Sequence, residues 1–189
     1  MNDNSPKVAI TQAESITGRN IRLRNVAPSD ADFIVKIRTN EKKGRFISAT
    51  SADISKQKKW IEDYLTSEGQ AYFLITDLDN NPLGTVRMYD QQGDSFCWGS
   101  WVVAENAPSH CAIESALLVY SYALELGFKR AHFDVRKGNL SVIKFHERFG
   151  AKRTGETEED ILYTISKENI LSTLEKYKKY LPEKVDIYR

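Results

Sequence analysis

The chain has little cysteine, no long apolar run and almost no net charge. Cys97 and Cys111 are its only two cysteines in 189 residues. No Cys-x-x-Cys and no His-rich spacing accompanies them, so neither a disulfide scaffold nor a structural zinc site is expected, and no metal is implied. No apolar stretch approaches the roughly 20 residues needed to span a bilayer, which argues against a membrane partner. The opening MNDNSPKVAITQAES lacks a basic start followed by an apolar core, so no signal peptide is expected and the default location is cytoplasmic. Lysine and arginine number 27 against 26 acidic residues, for a net charge of +1. The short basic clusters Lys42–Lys43, Lys58–Lys59 and Lys178–Lys179 are scattered, which argues against nucleic acid as the main partner.

What is present is a soluble, foldable composition: 41% hydrophobic and 28% charged residues, enough for one domain with a sizeable core. Residues 1–17 are polar and aperiodic and read as a flexible N-terminal extension, leaving 18–189 as the single domain. Ile21–Val26 alternates as a strand. Pro28-Ser29-Asp30 makes a turn before a helix over Ala31–Thr39, and Ser51–Ser67 reads as a second helix. Strands over Ala71–Asp77 and Leu83–Tyr89 flank the turn cluster Asp79-Asn80-Asn81-Pro82. Then come a strand over Phe96–Val103, a helix over Ile113–Leu126 ended by Gly127, and a strand over Ala131–Arg136. A helix over Asn139–Phe149 closes at Gly150, and a last strand over Ile161–Ile165 precedes a helix over Lys167–Tyr180. The order indicates a mixed α/β (α+β) fold. The tail Val185–Tyr188 alternates like an edge strand, and it or the last helix leaves a homodimer open.

The richest stretch is Phe96–Ala151. Its loop Ala107–Ala112 opens directly into a helix, whose unpaired N–H groups and positive dipole end suit a phosphate. Asn139 and His146 fall on one face of the next helix, seven residues apart. Histidine titrates near neutrality and is the natural proton-handling group there. Asn139 is also a favoured N-cap, and a capping role and a ligand role remain open together.

The segment resembles the GCN5-related N-acetyltransferases (GNAT), in particular the branch containing ribosomal-protein N-terminal acetyltransferases and bacterial amino-sugar acetyltransferases. Trp98-Gly99-Ser100-Trp101-Val102-Val103 is similar to that branch's Ile-Gly-Tyr-Trp-Leu strand. The family loop Arg/Gln-x-x-Gly-x-Gly/Ala falls on Ala107-Pro108-Ser109-His110-Cys111-Ala112, with Ala107 and His110 as departures. The family asparagine falls on Asn139 and the family tyrosine on His146. The resemblance implies a mostly antiparallel twisted sheet of about six or seven strands flanked by helices, with acetyl-CoA as cofactor. It implies cofactor contacts at Trp101, Val102 and Val103, where the strand splays and offers free peptide groups around Val102 and Ala104. Further contacts fall at Ala107, Ser109, His110, Cys111, Ala112 and Asn139. It gives His146 the task of protonating the leaving thiolate. The route for the amine's proton stays open between Asp134, Asp90 and a chain of water.

Ile37-Arg38-Thr39-Asn40 is similar to the Trp-Arg-Asn of amino-sugar acetyltransferases. Arg38, Asn40, Arg45 and Arg87 are therefore candidate acceptor ligands, because guanidinium groups can hold a diphosphate bidentately. The expected activity is acetyl-CoA-dependent N-acetylation of a small amine. A nucleotide-linked amino sugar of surface-polysaccharide synthesis comes first, and a protein N-terminus is the alternative. A non-catalytic acyl-CoA-binding module is the rival of a different class, motivated by the glycine-poor loop.

Overall fold

The computed structural model describes residues 7–47 and 49–189. Its strands are β1 (Ser15–Thr17), β2 (Ile21–Asn25), β3 (Ala71–Asp77), β4 (Pro82–Gln92), β5 (Ser95–Val103), β6 (Arg130–Arg136), β7 (Lys152–Glu156), β8 (Asp160–Ser166) and β9 (Asp186–Tyr188). Its helices are α1 (Ala31–Arg38), α2 (Ile54–Leu65), α3 (Cys111–Leu126), α4 (Leu140–Arg148) and α5 (Lys167–Lys176). The strands form one sheet in the order β7-β8-β6-β5-β4-β3-β2-β1-β9. Every neighbouring pair is antiparallel except β5 and β6.

The mixed α/β architecture is the expected one, with nine strands among the described residues rather than six or seven. The added strands lie at the two edges. β7 reads Lys-Arg-Thr-Gly-Glu and is exposed along its whole length, so no apolar alternation marks it; backbone pairing to β8 alone makes it a strand. β1 and β9 are three-residue strands paired with each other. The described part of the segment expected to be loose is held in place: Ile10, Ala13 and Ile16 are buried, spaced three apart in a sequence otherwise polar. Residues 1–6 lie outside the described residues.

β3 is buried on both faces, which puts it at the middle of three layers. Its Phe73 and Ile75 face the main core with α3, while Tyr72 and Leu74 face a smaller core with Ala31, Ile34, Ile61 and Tyr64 of α1 and α2. Helix α2 starts only at Ile54, because Asp53 accepts hydrogen bonds from Ser55 N and Lys56 N at 2.9 and 3.3 Å and so caps it there. Gly127, at φ +96°, ends α3 in the left-handed conformation, and Phe128 N–H then reaches Ala123 O at 3.0 Å. Glu114 of α3 is fully buried and ties down the β1–β2 turn, accepting from Asn20 N, Asn20 Nδ2 and Ile21 N at 2.7, 3.1 and 3.2 Å.

Candidate functional site

The sheet parts between its two parallel strands. β5 and β6 pair only at Ser95–Arg130, Phe96–Ala131 and Cys97–His132; beyond that, β5 runs on to Val103 and β6 to Arg136 without pairing. A bulge in β5 accompanies the parting. Thr85 and Arg87 of β4 have one residue between them, while their partners Val102 and Gly99 have two. The extra residue is accommodated at Ser100, which takes φ +46°, and Thr85 Oγ1 donates to Ser100 O at 2.9 Å. Downstream, Ala104 N–H donates to Leu83 O at 2.7 Å. Alternation along the ladder then turns the peptide groups of Val102 toward β4 and those of Trp101 and Val103 toward the gap. This corrects the expectation of free groups at Val102 and Ala104: the bulge sets the phase of the strand, and no sequence pattern reveals that phase.

A cavity of about 210 Å³ lies in this gap, lined among others by Trp98, Trp101, Phe133, Asp134, Asn139 and His146. Trp98 is a core residue, its indole N–H on Tyr120 O–H at 3.3 Å. Trp101 is half-buried, donates to Ser115 Oγ at 3.1 Å and packs on Phe145 at 4.9 Å between ring centres. Asn139 stands at the N-cap position of α4 but makes no side-chain bond to the helix N–H groups; its Oδ1 accepts from Ser141 Oγ at 3.4 Å, and the residue lines the cavity. Asp134 is exposed at the mouth. It also lines an adjoining cavity with Tyr89, Asp90, Cys97 and His132.

His146 is the most confined polar group here. It is 5% exposed and ringed by Phe133, Trp98, Phe145 and Trp101, with ring centres 4.2 to 5.9 Å away. Its Nδ1 is buried without a hydrogen-bond partner among the described residues. Burial drives its pKa down to about 3, because an apolar wall disfavours the imidazolium. The ring is therefore neutral at physiological pH, offering one N–H and one lone pair. That departs from the near-neutral histidine expected from its ordinary pKa; rings from β5 and β6, with Phe145 of its own helix, outweigh that value.

The loop before α3 needs no glycine. No residue from 104 to 112 has positive φ, and His110 sits at φ −76°, ψ −14°. Cys111 N–H is taken by Pro108 O at 3.0 Å, and Ala107 N–H by Ala104 O at 3.1 Å. The amides of Ser109, His110 and Ala112 have no partner among the described residues and lie at the helix start. Cys111 itself turns a fully buried thiol inward, and burial pushes its pKa up to about 12. It offers no side chain to a ligand.

The acceptor candidates divide. Arg38 and Arg87 line a second pocket of about 270 Å³ with Lys56, Trp60, Tyr72 and Ser100. Ser100 lines both spaces, so the bulge is their shared wall. Arg87 is fixed by Gln70 Oε1, which accepts from Nε at 3.0 Å, and its guanidinium lies 4.6 Å from the Tyr89 ring centre and 5.3 Å from that of Trp60. Burial and the neighbouring Arg38 charge both lower the Arg87 pKa from its ordinary value. Asn40 and Arg45 are not part of this pocket. The exposed Asn40 side chain accepts from Lys42 N and Lys43 N at 2.9 and 3.0 Å, and Arg45 is exposed over Phe46. The turn after α1 carries both away. Lys56, Trp60, Tyr72 and Ser100 escaped sequence reasoning. Tyr72 alone left a trace, since in the β3–β4 hairpin it stands directly opposite Arg87.

A family model described as an acetyltransferase (GNAT) domain matches residues 20–152. No curated protein sequence matches the chain. Among solved structures, "Apo FdhC- a nucleotide-linked sugar GNAT" is 38% identical, with a TM-score of 0.80 over 89% of this chain and 98% of that one. A putative acetyltransferase from T. thermophilus is 19% identical, with a TM-score of 0.74 over 89% and 97%. A GCN5-related N-acetyltransferase from Brucella melitensis is 15% identical, with a TM-score of 0.77 over 97% and 91%; these two similarities concern the fold.

Proposed function

Because the chain belongs to the GNAT acetyltransferase family, and is thus an N-acetyltransferase drawing on acyl-CoA, we propose that it transfers acetyl from acetyl-CoA to the amine of a nucleotide-linked sugar. The single observation that carries this reading is the pair of spaces meeting at Ser100: an aromatic cleft in the parted sheet and a cationic pocket beside it. The relative at 38% identity, described as a nucleotide-linked sugar GNAT, supports the choice of acceptor.

The chain fits the donor on its own features. Peptide groups of Trp101 and Val103 face the gap, which suits an amide-bearing arm lying alongside as an extra strand. The amides of Ser109, His110 and Ala112 suit a phosphate at the helix start. Acyl-CoA supplies an activated thioester carbonyl. An N–H from the Trp101–Val103 stretch steadies the oxygen of that carbonyl as negative charge develops. Asp134, at the mouth, takes the proton released by the attacking amine. His146 stays neutral: its unpartnered Nδ1 orients a donor group of the reactants, and the indole of Trp101 helps exclude water. Arg38 and Arg87 lie on the acceptor side. Two buried thiols, Cys97 and Cys111, fit the reducing cytoplasm that supplies acetyl-CoA.

The test is thiol release from acetyl-CoA with a panel of amines. Turnover with a nucleotide-linked amino sugar supports the reading. Turnover confined to a peptide N-terminus overturns the acceptor. Calorimetric binding of acetyl-CoA without turnover on any amine overturns catalysis.

A further inference from the structure

The pocket beside α2 is built like an anion site in its own right. Arg38, Lys56 and Arg87 bring three positive charges to it, and no carboxylate is among its described lining residues. Tyr72 is 3% exposed and its hydroxyl has no hydrogen-bond partner among the described residues. A buried hydroxyl without a partner costs stability, because its desolvation is not offset by a hydrogen bond. Tyr72 and Arg87 are cross-strand partners, which sets both on one face of the sheet. Arg87 is already oriented by Gln70 and by two aromatic rings, so little freedom is lost when it binds. Thr50 and Ser51 add hydroxyls at the rim.

We propose that Arg38, Lys56, Tyr72 and Arg87 form a self-contained diphosphate subsite that binds its anion without the amine or the acyl group. A single carboxylate brings one negative charge to a pocket lined by three cations, whereas a diphosphate spreads two or more across it. The Tyr72 hydroxyl, unpartnered among the described residues, donates to a phosphate oxygen. The proposal deepens the acceptor reading and takes its biological meaning from it: a free nucleoside diphosphate or inorganic pyrophosphate occupies the acceptor's place and leaves acyl-CoA binding intact. The enzyme is thereby restrained when sugar-free nucleotide accumulates.

Binding is read on the whole chain without turnover, by calorimetry with pyrophosphate, orthophosphate and malonate at matched ionic strength. Pyrophosphate is expected to saturate at least tenfold more tightly than either of the others. Tyr72→Phe is expected to weaken pyrophosphate by roughly ten- to a hundredfold, the loss of one hydrogen bond to a charged group, while acetyl-CoA binds as before. Its thermal midpoint should hold or rise, since an unpartnered buried hydroxyl is removed. Lys56→Gln, at an exposed position, supplies a second variant that should also weaken pyrophosphate if Tyr72→Phe fails to fold. Non-saturable binding, equal affinity for malonate, or unchanged affinity in both variants overturns the subsite. Pyrophosphate binding as expected with no turnover of sugar nucleotides sinks the acceptor reading and keeps the subsite. Turnover of sugar nucleotides without competition by pyrophosphate does the reverse.

Discussion

His146 should make this protein acid-labile in a way that one substitution can isolate. In the folded chain its aromatic cage holds the pKa down to about 3, whereas an unfolded histidine titrates near 6.5. Between those values the unfolded state binds the extra proton. Stability therefore rises with pH across the window and is lost as pH falls from about 6.5 toward 3. At pH 5 the loss relative to pH 8 is about 2 kcal/mol, and any folded value below about 4 gives nearly the same figure. For a chain of this size that corresponds to a fall of roughly 4–8 °C in thermal midpoint. The assay is urea or thermal unfolding of wild type and His146→Phe at pH 8 and pH 5. Carboxylates titrate alike in both proteins, so the difference between the two pH responses reports His146 alone, whatever the substitution does to packing. Wild type should lose about 2 kcal/mol more than the variant. Equal losses would show that the imidazole is reachable by protons in the folded state and that the cage is not closed.

Two further outcomes follow from burial and close approach. Cys97 and Cys111 are buried, with their pKa values pushed up to about 12, so iodoacetamide at pH 8 should leave both unmodified in the native protein and label both in guanidinium; rapid labelling of either native thiol contradicts this. Gly84→Ala would place a Cβ 2.2 Å from Val102 O and 3.1 Å from Val103 Cα, forcing β4 away from β5. It should cost roughly 3 kcal/mol or more and be visible in the thermal midpoint; a midpoint within a degree of wild type would refute the tight approach.

The inner part of the fold was legible because burial leaves a periodic trace. β3 appeared with its bounds unchanged, and β5, β6, α3 and α4 shifted by only a residue or two, since each carries apolar residues at its own period. At the edges only the tail was legible, its alternation over Val185–Tyr188 becoming the edge strand β9. Lys152–Glu156 has no apolar residue, and Ile10, Ala13 and Ile16 are too sparse to signal packing on a distant sheet. In the site, single-residue likenesses carried Trp101, Asn139 and His146 to one cavity. What they could not carry was environment. The neutral state of His146 depends on Trp98, Phe133 and Phe145, from three different elements, and the strand's phase depends on one extra residue at Ser100. Asn40 and Arg45 show the opposite limit: they follow Arg38 closely in sequence, and a turn sends them elsewhere.

The parting of β5 from β6 also has a mechanical side. Three residue pairs are all that stitch the β7-β8-β6 panel to the rest of the sheet, against seven between β6 and β8. Shear applied across the molecule will concentrate at that short seam, and thermal opening will begin there, because few backbone bonds must break to advance it. A strand-like ligand laid in the gap would act as a suture. Amide exchange along Trp101–Val103 and Phe133–Arg136 is thus the place where occupancy of the cleft becomes visible as stiffness.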